Sequence, residues 1–244
     1  MESFILDING IIMVISKEET ILQEVNVMMI SPEAFFEDEL KGKTADQIMT
    51  VIRRLKQEIG RLKNIVENPE YKCIRHPSER VRISCSRDYL ERAKQALEEV
   101  GSTYVPSAAE KKAMEFDENI PFINKVEFCI GGHFNGYETK TYTIDGDKVH
   151  THIEHSLILE PSNIGDFEIE AMDKDYLFGA LKDLHIGEWR RHYNTRRFGY
   201  MVCDGTQWHL EIYFSNGYKP VKIYGDNAYP YNFDRVLELF EIEE

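Results

Sequence analysis

The 244-residue chain is poor in positive charge: 29 Lys and Arg stand against 43 Asp and Glu, for a net charge of −14. A protein that grips duplex nucleic acid generally carries a basic footprint, so this balance argues against general nucleic-acid binding. Cysteine is scarce as well. The four, Cys73, Cys85, Cys129 and Cys203, form no C-x-x-C pair, which argues against a structural zinc site of the usual spacing. Reduced thiols in a cytoplasmic setting fit this usage best. No apolar run approaches the ~20 residues of a membrane helix, so no bilayer span is expected. The N-terminus lacks a charged region followed by a long apolar stretch, so no secretory signal is expected. Neither G-x-S-x-G nor H-E-x-x-H occurs, which leaves out the usual hydrolase elbow and the zincin helix. GGHFNG (131–136) has the outer glycine spacing of a P-loop, but Tyr137 and Glu138 stand where Lys and Ser or Thr are needed. With no lysine to reach phosphates, a strand-end loop or bulge explains those glycines better.

What is present is enough to build a core. Hydrophobic residues make up 42%, with thirteen Phe, thirteen Tyr and two Trp, which excludes a wholly disordered chain. The expected class is an acidic, globular, cytoplasmic protein. Its charge is uneven: residues 1–40 sum to −8, 41–94 to +7, 95–124 to −4 and 125–244 to −9. One reading of the basic segment is charge complementarity between domains. The other is a surface for a polyanion or an acidic partner, including nucleic acid held by the 41–94 helices.

Along the chain, Asn9-Gly10 between FILDI and IIMVI is a two-residue hairpin signal, because both turn positions need positive φ. Ser16 and Glu19 make a capping pattern ahead of a short helix. Ser31-Pro32-Glu33 reads as N-cap, N1 proline and acidic first turn of a helix carrying Phe35 and Phe36. Thr44 and Gln47 form a capping box, behind which Ile48, Ile52, Leu55, Ile59, Leu62 and Val66 recur at spacings of 4, 3, 4, 3 and 4. That stripe predicts a helix packed lengthwise on another, with Arg53, Arg54, Lys56, Arg61 and Lys63 off the seam and Asn68-Pro69 as its stop. The spacing of Leu90, Ala93 and Leu97 predicts a second helix starting near Ser86 and stopped by Gly101. A loop around Tyr71–Pro77 joins the two into an antiparallel pair. Ser107 and Glu110 open a third, shorter helix, and Ile120-Pro121 marks a boundary.

From Lys125 the period changes to two, placing Val126, Phe128 and Ile130 on one face. Asp145-Gly146 is a second hairpin signal. A turn made of those two residues pairs Ile144 with Asp147, Tyr142 with Val149, Thr141 with His150 and Thr139 with His152. Tyr176, Leu177, Ala180, Leu181 and Leu184 form the apolar stripe of a helix over 174–185. FGYMVCD, QWHLEIYF and KPVKIYG read as further strands, with Trp208, Leu210, Ile212 and Phe214 on one face. Cys129 and Cys203 in such runs read as small buried thiols. Asn232 caps a closing helix carrying Phe233, Val236, Leu237 and Phe240. The predicted class is α+β. An N-terminal hairpin and short helix (1–30) precede a helical region with a two-helix hairpin (31–123). An antiparallel sheet covered by helices on one face follows (124–244).

DGTQWHLEIYFSNG (204–217), GDNAYPYNF (225–233), LHIGEWRRHY (184–193) and LKGKTADQIMTVIRRLKQEIGRLKN (40–64) carry a resemblance. In these segments, and over roughly residues 31–242, the chain resembles a family of uncharacterised proteins from gut Firmicutes genomes and mobile elements. The resemblance implies a bacterial cytoplasmic protein in an accessory role; it carries over no catalytic residue.

Three constellations have chemical potential. On a strand, His150, His152 and Glu154 of HTHIEH point to one side, and His-x-His followed by a carboxylate can hold zinc or manganese. If the strand carrying His209 and Glu211 lies alongside, the polar sheet face gathers three imidazoles and two carboxylates able to activate water. The bland reading is polar residues on the wet side of a one-sided sheet. The second constellation is Trp189, Arg190, Arg191, His192 and Tyr193, followed by Arg196, Arg197 and Phe198. Four guanidiniums interleaved with aromatics suit phosphate, stacked bases or a protein interface, or else pair internally while the rings fill the core. The third is GDNAYPYNF, where Asn227, Tyr229 and Tyr231 line a pocket or partner site, or the segment is a tight turn through Gly225 and Asn227 stiffened by Pro230. An aromatic before proline also favours a cis bond at Tyr229-Pro230.

The reading reached is a non-enzymatic, acidic binding or modulator protein of a bacterial mobile element. Its partner is a protein and it needs no cofactor. One concrete version inhibits a host nucleic-acid-guided defence enzyme, as anti-CRISPR proteins do, by occupying a basic groove. The alternative is a metal-dependent hydrolase or nuclease using His150, His152, Glu154 and His209 with zinc or manganese.

Overall fold

A computed structural model describes residues 3–8, 11–16, 29–73, 76–134, 136–156, 172–202 and 204–242, of which 3–8 and 11–16 are described by their backbone. The fold is α+β, with six helices and a six-stranded, mostly antiparallel sheet among the described residues. The chain divides into two compact units, residues 1–65 with 71–104 and residues 66–70 with 105–244.

In the first unit, β1 (Ser3–Ile8) and β2 (Ile11–Ser16) pair antiparallel with Ile8 opposite Ile11. The Asn9-Gly10 turn and the helix expected after Ser16 lie outside the described residues. Helix α1 (Pro32–Glu39) starts as the sequence predicts, with Ser31 Oγ accepting from the Ala34 N–H. Phe35 is buried and stacks on Tyr89 at 4.5 Å, and the Arg92 guanidinium lies 3.8 Å over the Phe36 ring. Helix α2 (Ala45–Val66) buries every residue of the expected stripe, Ile48, Ile52, Leu55, Ile59, Leu62 and Val66. Gln47 Oε1 accepts from the Thr44 N–H at 2.9 Å, half of the anticipated capping box.

Helix α3 (Glu79–Glu99) begins two turns earlier than Ser86, a correction to the sequence reading. Its cap is Ser78, whose Oγ accepts from the Val81 N–H, and the carboxylate of buried Glu79 accepts from Tyr71 Oη at 2.7 Å. Ile83 and Ser86 then continue the stripe of Leu90, Ala93 and Leu97 backwards, all buried. The charged letters between them hid the period. After Glu99, the N–H of Gly101 bonds the Glu98 carbonyl and that of Ser102 bonds Leu97, which closes the helix end.

The second unit opens with α4 (Ala108–Asn119), where Ser107 and Glu110 form the complete reciprocal capping box. Six strands follow: β3 (Ile123–Gly132), β4 (Gly136–Asp145), β5 (Lys148–His155), β6 (His192–Asn194), β7 (Gln207–Phe214) and β8 (Val221–Asp226). Their order is β5-β4-β3-β7-β8-β6, antiparallel except for β6 with β8. The inner face carries Val126, Phe128, Tyr142, Val149, Trp208, Leu210, Ile212 and Ile223. It is covered by Phe116 of α4, Leu177 and Leu181 of α5 (Lys174–Asp183), and Val236 and Leu237 of α6 (Phe233–Leu239). Phe128 is fully buried, with Trp208, Phe233 and Phe240 rings around it. Truncating such a ring costs about 3–5 kcal/mol. At the C-terminal end of α6, Tyr142 Oη donates to the Leu239 carbonyl and buried Lys140 donates to Glu241. Strand β4 thus supplies donors for carbonyls the helix leaves unsatisfied.

Four expectations are corrected here. The β4–β5 ladder pairs Asp145 with Lys148, Ile144 with Val149, Thr143 with His150 and Thr141 with His152. The turn is therefore Gly146-Asp147, one residue later than expected. Gly146, at φ 62°, takes the first turn position without a Cβ penalty, and Asp145 stays in the ladder opposite a lysine. Every pairing moves by two residues, so the faces are unchanged. Tyr176, assigned to the apolar stripe of α5, is 63% exposed, beside Leu177 that is fully buried. FGYMVCD is not a strand through its described residues: a 3₁₀ turn over Thr195–Phe198 ends at Gly199, and Met201 is 65% exposed. Cys203 lies outside the described residues. Finally, among the described residues the one cis peptide is His76-Pro77, so Tyr229-Pro230 is trans.

Candidate functional site

Period-two alternation turns the second set of strand side chains outward. The register lines these up in rows across the sheet. One row runs His192, Tyr224, His209, Cys129, Thr139 and Glu154 from β6 to β5. The next runs Lys222, Glu211, Glu127, Thr141 and His152.

This arrangement separates the proposed metal ligands. His150, His152 and Glu154 share the outer side of β5, are exposed, and His152 Nε2 lies 3.0 Å from Glu154 Oε1. His209 stands on β7, with β4 and β3 in between. At about 4.8 Å per strand step, the two groups are roughly 14 Å apart. The condition on which the joint site rested is not met, because the chain pairs β3 with β7 instead of β5. His209 instead approaches Glu127, Nε2 to Oε1 at 3.5 Å. No group of three or more His, Cys, Asp or Glu placed to hold a metal occurs among the described residues.

The Arg and aromatic constellation divides into two. Trp189 and Tyr193 are core residues: the indole donates to the Leu184 carbonyl at 3.1 Å, and Tyr193 Oη accepts from the Arg190 N–H at 3.2 Å. Burial raises the Tyr193 phenol above its ordinary value. Arg197 meets the buried carboxylate of Glu67 at 2.5 Å, with Arg190 at 3.9 Å. Arg191 and Arg196 are exposed.

In the third constellation, Asn227 is the hinge of a turn. At φ 50° its Oδ1 accepts from the Thr206 N–H and its own N–H donates to the Thr206 carbonyl. The Tyr229 ring packs at a tilt against Phe233, centroids 4.6 Å apart. Gly225, expected in that turn, lies in β8 instead. A Cβ there would fall 1.9 Å from Trp208 Nε1, so its absence lets the indole cross the strand and donate to the Ala228 carbonyl at 3.0 Å. Asn232 stands at the N-cap position, just before α6, but makes no side-chain cap bond; its amide donates to the Leu184 carbonyl.

What the geometry does assemble is a cleft of about 490 Å³ at the β7-β8-β6 end of the outer face, lined by Tyr137, His192, Asn194, Arg196, Gln207, His209, Tyr224 and Asp226 among others. Tyr137 Oη donates to Gln207 Oε1 at 2.9 Å across the side-chain-free Gly131. The rings of His192 and Tyr224 are stacked at 5.8 Å, and His209 meets Tyr224 at 6.1 Å. Tyr224 is held from below: its Oη donates to Glu211 Oε1 at 3.0 Å, and Glu211 also accepts from Lys222 at 2.6 Å and from Tyr213. Burial pushes the Glu211 carboxyl up, but the hydrogen bonds from Lys222, Tyr213 and Tyr224 outweigh it, and the net value lies below 4.5. The thiol of Cys129 at the cleft floor is pushed up by burial, away from the thiolate form that a nucleophile uses. The set suits holding a ligand by rings and donors.

Sequence reasoning named His192 only as part of the Arg and aromatic run, and missed Gln207 and Tyr224. The one signal available was the alternation Lys222, Tyr224, Asp226, which puts a tyrosine among the polar letters of its strand.

The basic helices also resolve. Arg54 pairs with Glu39, Arg61 and Arg82 with Glu58, Arg92 with Glu99 and Lys94 with Glu91. The partners are near neighbours inside the same unit. No helix among the described residues is long and apolar enough to cross a membrane. Comparison with protein-family models, with curated proteins and with solved structures finds no match for this chain.

Proposed function

We propose that the chain is a non-enzymatic binding protein that docks on a basic surface of a protein partner. The observation that carries this reading is the use of its own cations. Within the basic segment 41–94, several cations face carboxylates close by, as in the pairs of Arg54, Arg82, Arg92 and Lys94. Arg197 is turned inward onto Glu67 in the same way. Residues 125–244 retain −9. A net negative charge steers association with a basic groove and sets its salt dependence. It also disfavours direct nucleic-acid binding by α2 and α3, where Arg54, Arg61, Arg82 and Arg92 already face carboxylates.

The finer version is an accessory protein of a mobile element acting in a bacterial cytoplasm, where it inhibits a nucleic-acid-guided defence enzyme by imitating the charge of its nucleic acid. The resemblance to mobile-element proteins supports that setting. Capture from a bacterial lysate on the immobilised chain tests it. The captured proteins should carry nucleic-acid grooves, hold at about 0.15 M salt, and be released as the Debye length shrinks toward 3 Å near 1 M or by added DNA. Recovery of no partner at moderate salt, or of partners that DNA does not displace, contradicts the reading.

A further inference from the structure

We propose that the cleft at the β7-β8-β6 end of the outer sheet face binds a nucleoside monophosphate. The inference goes beyond the partner reading and is independent of it, because it rests on the cleft and not on the acidic surface. Its volume of about 490 Å³ lies within the usual range for small-ligand sites.

Three features of the lining select the ligand. The faces of Tyr224, His192 and His209 run together along one row, and an exposed ring on an open sheet is a stacking surface for a base. Tyr224 is 40% exposed, with its hydroxyl fixed on Glu211, so its ring is held in place before a ligand arrives. Arg196 brings a guanidinium to the rim, the group whose planar fork matches phosphate oxygens. Asp226, with Asn194 and Gln207, adds a carboxylate and two side-chain amides. The carboxylate accepts from ribose hydroxyls or a base amino group, as an acidic residue does in dinucleotide sites.

Charge limits the size of the ligand. A single guanidinium among the lining residues faces one phosphate, while a chain of −14 repels a polymer carrying many. The site therefore suits one nucleotide and not a strand.

The test is calorimetric titration of the full chain with AMP, GMP, CMP and UMP, and separately with each matching nucleoside and with inorganic phosphate. At least one monophosphate should bind about tenfold more tightly than its nucleoside and than phosphate alone. Arg196→Gln should bring the nucleotide to the level of its nucleoside, and Tyr224→Leu should weaken it about tenfold through lost stacking. Amide NMR shifts of the unmutated protein, which need no variant to fold, should cluster at residues 192–196, 207–209 and 224–226. Monophosphates binding no better than phosphate, binding unaffected by Arg196→Gln, or shifts centred elsewhere would each overturn the proposal. Any of these leaves capture of a basic partner untouched, so the two readings fail separately.

Discussion

Two buried carboxylates of the second unit, Glu67 and Glu211, show how position decides what a charge does. Glu67 has 6% of its side chain exposed and depends on Arg197, itself 26% exposed. Removing the guanidinium leaves a buried anion without its main counterion. Arg197→Met should therefore cost about 2–4 kcal/mol in chemical denaturation, less than a fully buried pair because Arg197 is partly hydrated. Adding Glu67→Gln should recover most of it, and a double variant as unstable as the single one would contradict the account. Glu211 gives a pH signature. Its folded value lies below its ordinary 4.5, so it binds its proton less readily when folded. Its contribution to stability is fully present above about pH 4.5 and is lost as pH falls through the lower, folded value. Glu211→Gln should flatten that part of the stability-against-pH curve, measured by thermal melting between about pH 3 and 6. An unchanged acid slope would show that the three donors do not hold the charged form.

At the scale of the element, the strand at KPVKIYG was readable, but the place of Gly225 in β8 is legible only through its neighbour. Gly225 lies under the Trp208 indole, which would sit 1.9 Å from any Cβ. Gly225→Ala should displace the ring and break its bond to Ala228, costing about 1–3 kcal/mol, with a red shift in tryptophan fluorescence as the readout. A variant of parental stability and emission would contradict that placement. Elements whose signals are local were readable from the letters: the cap of α1, the capping box of α4, the complete stripe of α2 and the inward Trp208, Leu210, Ile212 and Phe214. Features decided by remote contacts were not. Strand β6 has three residues and exists because it pairs in parallel with β8, far along the chain. The start of α3 was hidden because its first turns are charged and Glu79 is buried against Tyr71. The alternation after Lys125 did sort faces correctly, yet it is silent on strand order. For that reason it placed His150 and His209 on the right side of the sheet but not apart from each other. The cleft needed the same knowledge of order, since its row draws on β6, β8, β7 and β3.

For the molecule as a whole, charge is the property that outlasts every local contact. Surface pairs such as Arg61 with Glu58 contribute little stability, about 0–1 kcal/mol each. Being neutral, they leave the net −14 unchanged, and it acts on whatever the chain meets. Association with a basic partner should accordingly slow as salt rises, mainly through its on-rate. A chain with several outward carboxylates of residues 125–244 changed to amides should bind more weakly in proportion to the charge removed, with melting unchanged. The most direct measurement is competition on a guide-loaded, nucleic-acid-guided nuclease, with target cleavage followed as the chain is added. The account predicts cleavage that falls with added chain and recovers with excess target DNA or higher salt. Cleavage that stays constant across a panel of such enzymes, or inhibition that neither DNA nor salt relieves, would contradict it.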